Sequence, residues 1–275
     1  MHALSPCPDD PARFAMSSLN RILAVLDLLT ATRPEVSAEQ IAEALAISLP
    51  TSYRYVRELV GAGLLRRASE GRYALGARII ELDYQMRTTD PLARAAQAEM
   101  SMLVPRIGYP ATLVSLLGER MITLHLEQGS EPLDISYGRG RPMPVLRGTP
   151  GLTLLAHLPR ARQRALFETE TAESATREAH WEALRTRLKA IRRAGFGISE
   201  GELDAHNAGV AVPVADADGR TVASLCAVLP RARLELVNTD RLVQRLQESA
   251  REIAARLAGS SGDLTLPPPA LPRAG

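Results

Sequence analysis

With 275 residues, 45% of them hydrophobic and 23% charged, the chain is long enough for two ordinary domains and apolar enough to give each a core. A formal net charge of only +2 excludes whole-chain electrostatics as a sign of nucleic-acid binding, so any basic surface must be local. The cysteines, Cys7 and Cys226, are too few and too far apart for a disulfide framework or a thiolate metal site, which fits a reducing compartment.

The opening MHALSPCPDDPARF carries Pro and Asp where a secretion signal needs an unbroken apolar core, and no later stretch approaches the roughly 18 apolar residues of a membrane span. A soluble cytoplasmic protein with no membrane partner is expected. Residues 1–16 lack periodicity, and residues 259–275 are Gly, Ser and Pro with little to pack; both ends are expected to be disordered.

Leu19, Ile22, Leu23, Leu26 and Leu29 recur at helical spacing and predict a first helix. Ser37-Ala-Glu-Gln40 reads as a capping box opening a second, with Ile41, Ala42 and Leu45 inside. After a break around residues 46–50, a third helix places Ser52, Tyr55, Val56 and Leu59 on one face, and Gly61 and Gly63 offer its stop. LLRR, ASEG and RYAL then predict two short strands around a polar turn. Three compact helices and a hairpin make a winged helix-turn-helix over residues 17–77.

If the third helix turns Ser52 and its partners inward, Thr51, Tyr53 and Arg54 project from its first turns. There they can offer hydroxyls and a guanidinium fork to base edges. From Arg54 to Arg78 six arginines (54, 57, 66, 67, 72, 78) face two acids, Glu58 and Glu70, which places a local positive excess where phosphates would lie. The same pattern also suits a small helical domain that packs against a partner protein.

Near Asp90-Pro91 the organisation changes, and residues 78–95 are expected to form a helical linker leading into a helix over 91–106. Strands are predicted at 111–117, 120–127 and 133–137, and helices at 149–158, 160–169 and 177–193. Strands follow at 196–199, 208–215 and 221–229, the last two as a hairpin around Asp216-Ala-Asp-Gly219, and a helix at 239–257 closes the domain. The fold class is therefore α+β in two domains, the second spanning 96–258 with helices on the faces of a sheet.

From Leu19 to Gly76 the chain resembles the IclR family of transcriptional regulators. SLNRILAVLDLL resembles the family's first helix, SAEQIAEALAI its second, and TSYRYVRELVGAGLLRR with GRYALG its recognition helix and wing. Pro50, Thr51, Ser52, Tyr53, Arg54 stands where the family has a Ser-Thr pair, then His or a similar residue followed by Arg. Pro50 replaces the serine, and Leu49 replaces a frequent lysine. The DNA contacts that follow are Ser37, Leu49, Pro50, Thr51, Tyr53, Arg54, Arg67 and Arg72, on a palindromic operator read by a homodimer or a dimer of dimers.

The resemblance continues over residues 91–257. GRPMPVLRGTPGLTLLAHLP is similar to a family loop-and-helix segment, with Leu152 at its lysine position, and GFGISEGELDAHNAGVAVPVADADGRTVASLCAVLP is similar to the final strand region. It implies a GAF-like effector domain whose pocket takes small organic acids or aromatic compounds. Arg147, Gly148 and Thr149 fall on the segment whose backbone amides meet the ligand, and a helix starting there would favour an anion. Ser199, Gly209, Cys226 and Val228 fall where the family often has an acid, a Cys or Ser, and two serines. The resulting pocket is more apolar and suits a larger or aromatic acid, with Arg141 and Arg147 as available counter-charges.

Enzyme chemistry finds little support. Glu202, Asp204 and His206 would line one face of a strand as a metal or general-base site, but their stretch has few strand formers and reads as a polar loop. His125 and His157 lack partners at ligand spacing, and Cys226 amid SLCAVL reads as a buried thiol. No phosphate-cradling loop, nucleophile elbow or zinc signature occurs, so no cofactor or metal is expected. The alternative is a GAF-like enzyme or small-molecule carrier whose helical domain docks onto protein.

Overall fold

A computed structural model describes residues 18–131 and 133–260, and the chain divides into two compact units between Thr88 and Thr89. The expected arm over residues 1–16 lies outside the described residues, as does the expected tail beyond Ser260.

The first unit holds α1 (Ser18–Asp27), β1 (Val36–Ser37), α2 (Ala38–Ala44), α3 (Leu49–Gly61), β2 (Leu65–Arg67), β3 (Arg72–Leu75) and α4 (Ala77–Thr89). The capping box forms as the sequence predicts: Ser37 Oγ accepts from the Gln40 amide at 3.3 Å and Gln40 Oε1 from the Ser37 amide at 3.0 Å. Ser48 caps α3, and Pro50 sits in its first turn, where a missing N–H leaves no bond unmade. One face of α3 buries Ser52, Tyr55, Val56 and Leu59 against Val25, Val36, Ile41, Leu65 and Tyr73. Ser52 is fully buried and donates to the Ala38 carbonyl at 2.7 Å, a bond worth about 1 kcal/mol net that ties α3 across the start of α2.

β2 and β3 pair antiparallel, with β1 added on the outer edge of β3. Their turn places Glu70 and Gly71 at φ 52° and 72°, closed by the Arg72 amide on the Ser69 carbonyl at 3.1 Å. Two successive positive φ values give a type I′ turn, whose twist matches that of the strands it joins. α4 follows at once and buries none of its residues within the chain.

The second unit opens with α5 (Pro91–Ile107), started by Asp90 accepting from the Ala93 amide at 2.8 Å and stopped by Gly108 at φ 75°. There follow β4 (Ala111–Leu117), β5 (Arg120–Glu127), β6 (Pro142–Met143), α6 (Thr149–His157), α7 (Arg160–Glu170) and α8 (Arg177–Ala194). Then come β7 (Gly197–Glu200), β8 (Asn207–Ala215), β9 (Thr221–Pro230), a 3-10 turn at Arg231–Leu236 and α9 (Thr239–Ser260). Six strands form one antiparallel sheet in the order β6-β5-β4-β9-β8-β7.

Alternation along the strands sorts the two faces. Leu113, Val210, Leu225 and Leu229 pack with Met100 and Leu103 of α5 and Leu246 and Ile253 of α9. Intervening residues look the other way, where Val114 and Met121 meet Leu152 and Leu155 of α6 and Leu188 of α8. α6 is buried from Thr149 to Ala156, so it is a core helix rather than a surface one.

Two expectations need correction. Residues 133–137 are not a strand; the edge next to β5 is taken instead by β6, where Met143 pairs with Met121. The alternation of Ile135 and Tyr137 with Asp134 and Ser136 has another cause, since the two apolar side chains line a cleft while their neighbours are exposed. The closing helix also runs past residue 257 to Ser260, into what reads as tail composition.

Candidate nucleic-acid interface and ligand cleft

Pro50, Tyr53, Arg54 and Arg57 share the exposed face of α3, opposite the buried one. Leu49 is partly exposed at the start of that helix. The Thr51 hydroxyl lies 2.8 Å from that of Ser48, and the Ser37 hydroxyl accepts from Gln40, so both are engaged in starting helices. Arg54 lies with its guanidinium carbon 5.7 Å from the centre of the Tyr55 ring, which restrains it near the base of the helix. Arg66, Arg67 and Arg72 are exposed on the wing strands.

One acidic neighbour escaped the sequence reading. Tyr53 donates its phenol to Glu39 Oε1 at 3.1 Å, tying the outer face of α3 to the first turn of α2. Hydrogen bonds from the Ser37 side chain, its own backbone and Tyr53 hold the Glu39 carboxyl below its ordinary 4.5. The bond to that carboxylate, and then its charge, push Tyr53 above 10.0. A carboxylate thus stands among the groups that would face phosphate, and only its position on a neighbouring helix, 14 residues earlier, brings it there.

In the second unit Ser199, Gly209 and Val228 lie side by side across β7, β8 and β9, each paired with the next in register. Cys226 sits two residues along β9, paired with Thr112 of β4 on one side and Ala211 on the other. All four predicted residues line one cleft, whose other walls are Thr112, Met143, Pro150 and the loops carrying Ile135, Tyr137 and residues 202–204. Its empty space is about 450 Å³ including an open mouth, and its enclosed part is narrow, a slot. Gly209 lets the start of α6 close on this wall: a Cβ there would lie 3.1 Å from Thr149 Cγ2 and 3.2 Å from Cys226 Sγ.

Gly148, Thr149 and Pro150 begin α6 at the edge of this cleft. The Thr149 amide donates to Ser199 Oγ at 3.0 Å, and the Gly148 amide to Glu202 Oε2 at 2.9 Å. Glu202 Oε1 accepts from Arg187, and the Arg147 side chain donates to the Glu202 carbonyl at 2.7 Å. Burial raises the Glu202 carboxyl, but the bonds from Arg187 and Gly148 outweigh it and leave the group below 4.5. Arg141 and Arg147 do not line the cleft; Arg141 is exposed and reaches the Ser136 carbonyl at 2.6 Å.

The remaining chemistry-bearing residues have structural partners. His125 lies 3.0 Å from Glu127 and His157 bonds the Thr153 carbonyl at 2.8 Å. Burial pushes the Cys226 thiol up to about 12. Asp204 and His206 stand in a turn segment, and among the described residues no group of three His, Cys, Asp or Glu could hold a metal ion.

A wing beside a helix with an exposed, arginine-bearing face, followed by an α+β domain with a slot at the end of a buried helix, is the architecture of a two-domain DNA-binding regulator. Residues 18–69 match the IclR helix-turn-helix domain, and residues 85–255 match the bacterial transcriptional regulator IclR C-terminal domain. The chain belongs to the IclR family and is an IclR-type transcriptional regulator. It is 27% identical over 236 residues to the probable transcriptional regulator SauR of Cupriavidus necator, covering 85% of this chain and 94% of that one. An IclR homologue of Microbacterium hydrocarbonoxydans, solved in complex with 4-hydroxybenzoate, superimposes with a TM-score of 0.74 at 27% identity over 88% of this chain and all of that one. An IclR transcriptional regulator of Alicyclobacillus acidocaldarius shares the fold, with a TM-score of 0.73 at 24% identity over 87% of this chain and 98% of that one.

Proposed function

We propose that this regulator reads a palindromic operator as a homodimer or dimer of dimers, and that a small aromatic acid entering the cleft of the second unit alters its operator affinity. The observation that carries the reading is the slot over the Ser199–Gly209–Val228 row: the apolar side chains of Ile135, Tyr137, Met143 and Val228 that wall it suit a flat ring. A structural relative holds 4-hydroxybenzoate, which agrees with that shape.

On the DNA side, α3 enters the major groove with Arg54 foremost, while Arg67 and Arg72 of the wing meet phosphates. Leu19 and Leu23 of α1 are 72% and 52% exposed, and Ile80 and Tyr84 of α4 are 71% and 62% exposed, each pair one helical turn apart. A second copy of the chain would cover these faces and set two recognition helices about one DNA turn, ~34 Å, apart. The ligand acts by favouring one arrangement of the DNA-binding units, with the covalent junction around Asp90 as the path. The protein works in the cytoplasm as a binding protein and not as an enzyme.

Fluorescence anisotropy with promoter duplexes tests this reading. Affinity should fall steeply with salt, keep a sequence preference and shift on adding 4-hydroxybenzoate. Equal binding of all duplexes, or affinity indifferent to salt, contradicts it.

A further inference from the structure

The seat at the start of α6 is already filled, and what fills it is a carboxylate. One backbone amide, Gly148 N at 2.9 Å, and one guanidinium, Arg187, grip the two oxygens of Glu202. This is the donor set that recognises a free organic acid: a helix N-terminal amide together with an arginine fork. Glu202 also lines the cleft, beside Ser199, whose hydroxyl takes the next amide of the same helix.

Glu202 is carried on a strap whose residues 202–204 and Asn207 wall the cleft. Leu203 packs its isobutyl group on the α-carbon of Gly148, leaving no room for a side chain there. Asp204 Oδ2 accepts from the Ser136 amide at 3.2 Å, and Asn207 Nδ2 donates to the Asp134 carbonyl at 2.7 Å. The 134–136 loop and the 202–207 segment are thereby stapled to each other along the slot, with Glu202 as the anchor at the start of α6.

We propose that Glu202 is a built-in stand-in for the effector's carboxylate, holding Gly148 and Arg187 until an incoming acid displaces it and frees the strap. The proposal rests on the effector reading above and sharpens it: the ligand class is a carboxylate, and its charge, not only its ring, is what the site exchanges. Displacement costs the ligand whatever Glu202 contributes, so the native protein binds acids more weakly than its donor set allows. The same exchange unpins the Asp204 and Asn207 contacts, converting occupancy of the slot into a movement of its wall.

The test compares benzoate, benzamide and acetate on the full-length protein, its Glu202→Ala variant and its size-preserving Glu202→Gln variant, by calorimetry and thermal melting. Benzoate should bind Glu202→Ala about tenfold or more tightly than the native protein, with Glu202→Gln between them and benzamide unchanged, because only the anion competes for the seat. Acetate should raise the melting temperature of Glu202→Ala and leave that of the native protein unmoved. Weaker benzoate binding by both variants, or equal gains for benzoate and benzamide, overturns the proposal, as does a lack of acetate stabilisation. Acetate stabilisation without benzoate binding to any of the three proteins upholds the seat while refuting the aromatic reading of the effector.

Discussion

Tyr53 on the outer face of α3 donates its phenol to the Glu39 carboxylate of α2 at 3.1 Å. The bond fixes a side chain that the sequence offers for base contact, and it leaves a negative charge against the outer face of α3, the helix that carries Arg54 and Arg57. Glu39→Gln should therefore raise affinity for any duplex several-fold at low salt, the gain vanishing as salt rises. Anisotropy on operator and random duplexes checks this; lower affinity for both would show that Glu39 is needed to present Tyr53.

The pair also has a defined pH range. Glu39 titrates below its unfolded value of 4.5, so its contribution is present above that pH and lost as pH falls through the lowered value. Tyr53 titrates above 10.0, so its contribution is present below that pH and lost as pH rises through the raised value. Between these limits the melting difference between the native protein and Tyr53→Phe should stay constant; a change near neutral pH would contradict the assignment.

Base and phosphate contacts should separate by mutation. Arg54→Ala is expected to weaken operator binding by about 10- to 100-fold and relax the preference at one base pair, with an unchanged melting temperature. Arg72→Ala on the wing should weaken all sequences alike and reduce the salt slope by about one. Interchanged behaviour would mean that the wing, and not α3, reads the bases.

Gly209 lets the start of α6 close against the slot wall. A Cβ at this position presses on Thr149 and Cys226, at distances that neighbours can relieve by small shifts. Gly209→Val should lower benzoate affinity by about tenfold or more while ligand-free operator binding stays intact. Unchanged affinity would move the ligand away from the Ser199–Gly209–Val228 row.

The thiol on the slot wall should be inert. Burial raises Cys226 to about 12, so at pH 8 its thiolate fraction is on the order of 10⁻⁴. In a Cys7→Ser background, labelling by an aromatic disulfide should require denaturant; rapid native labelling would show that the wall opens.

Much of this arrangement is written locally. Ser37 and Gln40, the inward face of α3, the turn at Asp216–Gly219 and the row Ser199, Gly209, Val228 each follow from spacing or from family resemblance, and the structure forms all of them. What was not legible depends on partners distant in sequence. Glu202 reads as one acid in a polar loop, because Gly148 lies 54 residues earlier and no periodicity links them. Ile135 and Tyr137 imitate a strand because lining a cleft imposes the same alternation as lining a core. Arg141 and Arg147 carry the right charge, but their side chains are drawn to the Ser136 and Glu202 carbonyls, while Arg187, on a helix predicted with no site residue, reaches the seat.

Selection from a pool of random duplexes, repeated with Arg54→Ala, tests the central claim most directly. The native protein should enrich an inverted repeat with half-sites about one helical turn, ~10 bp, apart, and the variant should lose the preference at one position in each half. Failure to enrich any sequence at low ionic strength, with and without 4-hydroxybenzoate, would contradict it.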